Sequence, residues 1–185
     1  MTEIELKARL DDPGPVKDRL SSLGRYVRSY RKADTYWLGT GSSGVRVRRE
    51  SGVTADGTDY RSALVTLKDK SISGSIEVND EREFGVSDAD AFEQMLCQLG
   101  LAEVMRKEKR GWEWEVPAEA SGGRALKAEV SEVGRLGWFV EIEITADDAG
   151  HQTVEQCRRE LLALLQKLEV PQESIETRSY AELLR

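Results

Sequence analysis

The chain has 185 residues, 27 Lys and Arg against 34 Asp and Glu, and a net charge of −7; this is a soluble globular composition with room for one domain, and its acidic total argues against a nucleic-acid partner. The single histidine, His151, excludes sites built on two histidines and leaves little room for His-based acyl transfer. Cys97 and Cys157 have no metal-type spacing and read as reduced thiols of a cytoplasmic protein, and the chain lacks both the long apolar run of a membrane span and the pattern of a signal peptide.

In chain order, Thr2 to Leu10 alternates strictly and predicts a strand. Asp12 is placed to cap a helix that carries Pro13 or Pro15 in its first turn, shows a Val16, Leu20, Leu23 stripe and stops at Gly24. Tyr26 to Leu38, rich in aromatic and β-branched residues, predicts a long strand. Residues 39–44 form a turn, Val45 to Glu50 a strand, Ser51 to Asp59 a polar hairpin loop and Tyr60 to Lys68 another strand. Ser71 to Ser75 reads as a flexible linker before a strand over Ile76 to Val86. Ser87-Asp88 begins a helix with a Phe92, Met95, Leu96, Leu99 stripe, closed by Gly100. Leu101 to Val116 reads as one or two strands, Pro117 to Gly123 as a loop, and Ala125 to Val133 and Trp138 to Thr145 as strands. A helix over Asp147 to Leu168 is stopped by Pro171, and Ser179 to Arg185 suggests a short terminal helix. Many strands joined by short loops, with three or four helices, make an α+β chain with an antiparallel sheet.

Several strands share one pattern. Glu3, Glu5 and Lys7 lie on one face with Ile4 and Leu6 on the other; Arg46 and Arg48 oppose Val45 and Val47; Thr66 and Lys68 oppose Val65 and Leu67; Glu141 and Glu143 oppose Val140, Ile142 and Ile144; Lys107 and Lys109 repeat the spacing. A single strand of this kind is an ordinary half-exposed strand. Carboxylates gathered from two strands and cations from others make sense if the charged faces point inward around a polar lumen while the apolar faces pack outward on helices. A closed barrel does this and removes the sheet edges. Such a lumen suits a divalent cation and a polyanion.

Glu3-Ile4-Glu5-Leu6-Lys7 resembles the ExExK signature of the CYTH superfamily, the triphosphate tunnel metalloenzymes, which include class IV adenylate cyclases, thiamine triphosphatases and inorganic triphosphatases. Asp34-Thr35-Tyr36, Arg46-Val47-Arg48 and Thr66-Leu67-Lys68 resemble the family's DTY, RxR and TxK motifs. Val133 to Glu143 is similar to its V-x-x-L-G-x-F-V-E-I-E segment, and Ser179-Tyr180-Ala181-Glu182-Leu183-Leu184 to its SYxxLL ending.

The resemblance covers residues 1–185 and implies a single tunnel domain, a closed antiparallel barrel of about eight strands with flanking helices. It implies Glu3, Glu5, Glu141 and Glu143 as carboxylates for Mg²⁺ or Mn²⁺, and Lys7, Arg46, Arg48 and Lys68 as the grip on a triphosphate, with Lys7, Lys68 and Glu5 closest to the chemistry. Two positions depart from the family pattern. Lys107-Glu108-Lys109 stands where K-x-R is common, with Lys107 and Lys109 as the matching phosphate contacts; Arg106 or Arg110 would compensate only if the register shifted. Ser131 stands where Asp is common, and Glu129, facing the same side, would replace it as a metal ligand. Glu81 and Glu83 fall where the family often has an acidic pair.

The expected activity is metal-dependent hydrolysis of tripolyphosphate or an organic triphosphate. A class IV adenylate cyclase, making cyclic AMP and pyrophosphate from ATP, is the alternative; the missing His-Phe pair ahead of Glu3 tilts the expectation toward hydrolysis. A non-catalytic polyphosphate- or nucleotide-binding module is the third reading. The expected partner is a triphosphate-containing small molecule, with no nucleic acid and no membrane; the Leu161 to Leu168 stripe serves the core or a homodimer contact. His151 is expected on the surface, Trp37, Trp112 and Trp114 in packing, and the acidic excess over helices and loops and among the proposed metal ligands, with the cations that matter concentrated on the inward faces.

Overall fold

A computed structural model describes residues 2–39, 44–73, 76–121, 123–146 and 150–184, with the side chains of residues 68–73, 80, 81 and 121 outside that description. Eight strands are present: β1 Thr2–Leu10, β2 Arg25–Leu38, β3 Gly44–Thr54, β4 Asp59–Ser73, β5 Ile76–Gly85, β6 Ala102–Val116, β7 Leu126–Val133 and β8 Gly137–Ala146. They close into an antiparallel barrel in the order β1-β5-β4-β3-β2-β6-β7-β8, because β1 pairs with β5 along one edge and with β8 along the other. Helices α1 Pro13–Leu23, α2 Ala89–Gln98, α3 Ala118–Ser121, α4 His151–Lys167 and α5 Tyr180–Leu183 flank it. No described helix is long and apolar enough to cross a membrane.

Alternation decides which way each side chain points. Ile4, Leu6 and Ala8 of β1, Val140, Ile142 and Ile144 of β8, and Ala128 and Val130 of β7 pack outward with Val16 and Leu20 of α1 and Val154, Leu161, Leu164 and Leu165 of α4. A smaller core places Ala89 and Leu96 of α2 on Trp37, Val47 and Val65. Trp112 stacks on Trp138, and Trp114 meets Tyr26 edge to face. The expected packing roles of these tryptophans hold, and His151 is exposed.

Local chemistry sets the element ends. The Asp12 carboxylate accepts from Gly14 N at 2.9 Å, and Asp88 accepts from Ala91 N at 2.9 Å, so each caps the helix that follows. Gly137, with φ of 89°, makes the β7–β8 turn that a side chain would strain. Gly111 of β6 has no room for a side chain, since a Cβ there would lie 2.2 Å from Val130 O.

Several expectations are corrected. The predicted loop over Ser51 to Asp59 is mostly ladder: β3 continues to Thr54 and Val53 pairs with Asp59, because backbone pairing overrides the polar composition. The predicted linker over Ser71 to Ser75 is strand up to Ser73, which pairs with Ile76, while residues 74 and 75 lie outside the described residues. Within residues 117–123, where a loop is expected, α3 makes one helical turn. The last long helix begins at His151, and residues 147–149 lie outside the described residues, as do 40–43 of the first turn. Leu101 to Val116 gives one strand. In α2 only part of the predicted stripe is covered: Leu96 is buried and Phe92 packs beside it, but Met95 and Leu99 face outward.

Candidate functional site

The inward faces enclose a cavity of about 390 Å³. β2 and β3 run side by side, with Asp34 opposite Arg48 and Tyr36 opposite Arg46, while β6 brings Lys107 against Asp34 and Lys109 against Lys32. Arg48 binds Asp34 through two bonds, Nε to Oδ1 at 2.7 Å and Nη2 to Oδ2 at 2.9 Å, and Lys107 Nζ stands 3.2 Å from Oδ2. Burial works to raise the Asp34 carboxyl, but Lys107 and Arg48 outweigh it and hold it well below the usual carboxylate range. Arg46 donates to the Thr66 hydroxyl at 2.9 Å and meets Glu83 at 3.4 Å.

The opposite wall comes from β1, β8, β7 and β5. Register places Glu5 beside Glu143, Lys7 beside Glu141, and Glu141 beside Glu129. Glu129 is buried and fully engaged. Its Oε1 accepts from Lys32 at 2.6 Å, and its Oε2 accepts from Tyr30 at 2.6 Å and Lys109 at 2.7 Å. Lys109 also bonds Glu141, and Lys127 stands 3.2 Å from Glu143. Burial opposes ionisation of both carboxyls, yet the lysines hold Glu129 well below its ordinary range and bring Glu141 down to about 2. Burial lowers the Lys32 ammonium to about 8 despite Glu129.

At one end of the lumen, Ser179, Tyr180 and Ala181 line the cavity. The Ser179 hydroxyl and Glu182 carboxylate form a reciprocal cap on α5. The Tyr180 ring lies 4.5 Å from Lys7 Nζ and 4.8 Å from Lys107 Nζ, and Lys7 Nζ donates to Arg178 O at 2.7 Å. Glu176 ties this segment to β1 by accepting from Arg9 at 3.1 Å, and it accepts from Arg178 Nε at 2.8 Å.

Glu3, Glu5, Lys7, Arg46, Arg48, Lys107, Lys109, Glu129, Glu141 and Glu143, all named from the sequence, therefore line one cavity. The backbone of Lys68 lies on β4, two residues from lumen-lining Thr66, and pairs with Gly44 and Glu81; the side chains of Lys68 and Glu81 lie outside the described residues. Arg106 and Arg110 are exposed outside the barrel and do not compensate for Lys109. Ser131 is fully buried, with an Oγ that has no hydrogen-bond partner among the described residues.

Sequence reasoning missed Tyr30 and Lys32 of β2, Lys127 of β7, and the ion pairs of Arg28 Nη1 with Glu50 and Arg28 Nη2 with Glu113, each at 2.8 Å. The signal was present: Arg28, Tyr30, Lys32, Asp34 and Tyr36 alternate along β2. It was hidden because the same stretch reads simply as aromatic and β-branched. Carboxylates and cations share the inward faces as expected: eight of each line the cavity among the described residues.

For a divalent metal, the donors offered by Glu3, Glu5, Glu141 and Glu143 are hard oxygens on adjoining strands, which suits Mg²⁺ or Mn²⁺. Glu129 also faces the cavity, with both its oxygens taken by lysines and Tyr30. Among the described residues no three His, Cys, Asp or Glu side chains converge on a point a metal could occupy. The donor set fits the ion in chemistry, with lysine ammonium groups on two of its carboxylates.

The family model described as the CYTH domain matches residues 1–180. A Methanocaldococcus jannaschii protein provisionally named an adenylate cyclase is 25% identical over 192 aligned positions, covering 99% of this chain and 98% of that one. A Pyrococcus horikoshii protein structure superposes with a TM-score of 0.80 at 22% identity, covering 98% of this chain and 97% of that one. A Hippeastrum protein provisionally called an adenylyl cyclase, whose structure is described as revealing a dominant triphosphatase activity, superposes with a TM-score of 0.56 at 16% identity over 96% and 91% of the two chains.

Proposed function

Because the chain belongs to the CYTH domain family, we propose that it is a divalent-metal-dependent enzyme that binds a triphosphate-containing small molecule in the barrel and hydrolyses it, with tripolyphosphate or an organic triphosphate as substrate. The observation that carries this reading is the charge balance of the lumen. Among the described residues eight cations and eight carboxylates line its walls. A triphosphate bears about four negative charges, so walls whose cations are already answered by carboxylates take it most readily together with metal ions.

In this reading Glu3, Glu5, Glu141 and Glu143 would hold Mg²⁺ or Mn²⁺, with Glu129 keeping Lys109 and Lys32 in place beside them. When bound, such an ion neutralises phosphate charge and polarises the phosphoryl group. Arg46, Arg48, Lys107 and Lys109 face the phosphate oxygens from the other wall, Arg48 through the guanidinium edge that Asp34 leaves open and Lys as point charges. Asp34 fixes the Arg48 guanidinium so that little motion is needed on binding. Lys7 and Lys68 neutralise the leaving phosphate oxygen. The Glu5 carboxylate takes a proton from water as the water oxygen bonds to phosphorus. The P–O bond to the leaving group breaks, and the leaving phosphate keeps that electron pair.

A second reading, the cyclase, is favoured by the name of the M. jannaschii relative, which aligns over nearly the whole of both chains. There a ribose 3′-hydroxyl replaces water and attacks the α-phosphate, releasing pyrophosphate. Purified protein incubated with tripolyphosphate, thiamine triphosphate and ATP, each with Mg²⁺ or Mn²⁺, separates the two. Orthophosphate release is expected; cyclic AMP with pyrophosphate from ATP overturns hydrolysis in favour of the cyclase, and no turnover of any substrate leaves a binding module.

A further inference from the structure

The alternation of β5 sends Ile76 and Val78 into the outer core and Glu77 and Glu83 to the lumen, so Asn79 faces inward. Its side chain is fully buried, and neither Oδ1 nor Nδ2 has a hydrogen-bond partner among the described residues. Leaving such an amide unsatisfied costs about 1–3 kcal/mol. The metal-dependent reading leaves this residue unused.

Its neighbours indicate what it serves. Across the β1–β5 ladder Asn79 stands directly opposite Glu3, and the adjoining lumen rung pairs Glu77 with Glu5. The β-carbons of such partners lie about 4.5–5.5 Å apart. An amide carbonyl with no hydrogen-bond partner among the described residues thus shares one corner of the barrel with three carboxylates, while on the β4 side its backbone stands opposite Lys70, whose side chain lies outside that description. Lys7 Nζ stands 3.8 Å from Glu77 Oε1 and answers part of the carboxylate charge, and an amide oxygen adds a ligand without adding more. Hard divalent cations take such mixed sets of carboxylate and amide oxygens.

We propose that Asn79 Oδ1 is a ligand of the divalent cation held by Glu3 and Glu5, and that the orphaned amide is a stability cost retained for that purpose. The inference rests on the metal-dependent reading given above. It separates a ligand from a structural residue, because the two roles move the metal-free protein in opposite directions. Asn79→Leu replaces the unsatisfied amide by an apolar group of similar size, so the metal-free melting temperature should stay the same or rise. Asn79→Asp keeps an oxygen at the same place.

The test is Mn²⁺ titration of the full-length protein, followed by the electron paramagnetic resonance of free Mn²⁺, beside melting of each metal-free variant. The expected result is Mn²⁺ affinity lower by about 10-fold or more in Asn79→Leu, the scale of lost metal-site support. Its metal-free melting temperature should be no lower than that of the wild type, and Asn79→Asp should keep Mn²⁺ uptake. Wild-type affinity in Asn79→Leu overturns the inference, as does a metal-free melting temperature lowered in both variants. A wild-type protein that takes up no Mn²⁺ overturns instead the metal-dependent reading beneath it.

Discussion

On β1, Ile4, Leu6 and Ala8 sit under α1 and α4 with no exposed surface, while Glu3, Glu5 and Lys7, one residue away in each case, face the lumen. The same alternation runs along β8, where Ile142 is outward core and Glu141 and Glu143 are lumen. The outer face is held by removal of apolar surface from water, a force indifferent to which apolar residue supplies it. The inner face is held by specific pairs, and burial there works against the charges that the pairs maintain. Substitutions on the two faces should therefore fail differently. Outer ones should lower stability in proportion to the volume lost. Inner ones should divide between residues whose carboxylate partner is buried and residues whose carboxylate partner is itself exposed, as Asp34 is for Arg48 and Glu83 for Arg46.

Arg48 and Arg46 make that division most plainly, since they lie two residues apart on one strand face. Arg48→Ala strips Asp34, which is 2% exposed, of a two-bond partner and leaves Lys107 as its nearest cation. Chemical denaturation should show a loss of about 3–5 kcal/mol. On the outer face Ile142→Ala opens a cavity in the main core, with an expected loss of about 2–5 kcal/mol in the same measurement and little change in turnover of any protein that stays folded. Arg46→Ala removes a bond to buried Thr66 and a longer contact with Glu83, so its stability loss should be smaller, about 1–3 kcal/mol. Its expected cost in triphosphate affinity is about 10- to 100-fold, the equivalent of a charged hydrogen bond of roughly 1.5–3 kcal/mol.

The smallest effect concerns the clasp between β1 and the C-terminal segment. Hydrogen bonds from Arg178, aided by Arg9, lower the Glu176 carboxyl from 4.5 to about 2. A lowered carboxyl contributes stability that is complete above its ordinary value and lost as pH falls toward the folded one. The wild type should lose this contribution between about pH 4.5 and 2. Glu176→Gln should flatten that part of an acid-melting curve and leave the curve above pH 5 nearly parallel to the wild type.

The outer and inner faces were not equally legible in the sequence. Alternation alone placed Ile4, Leu6, Val140 and Ile142 outward and Glu3, Glu5, Arg46, Arg48, Lys107 and Lys109 inward, because period two is a local property of one strand. Barrel closure depends on β1 meeting both β5 and β8, pairings between residues 72–78 and 128–144 apart in sequence that no local pattern encodes. The pairings inside were likewise hidden. Glu129 was expected to serve a metal, yet register across β2, β6 and β7 surrounds it with Lys32, Lys109 and Tyr30. Asn79 carries no signal in sequence, since what sets it apart is its burial without a hydrogen-bond partner among the described residues.

The central claim is that the inward cations of β3 and β6 receive the polyanion. Calorimetric titration of tripolyphosphate into wild-type and Arg46→Ala protein, with Ca²⁺ in place of an activating ion to suppress turnover, tests it most directly. The account expects one site per chain in the wild type and an affinity lower by about 10-fold or more in the variant, with both proteins folded at the titration temperature. Equal affinity in the two proteins would place the polyanion outside the lumen and contradict the account.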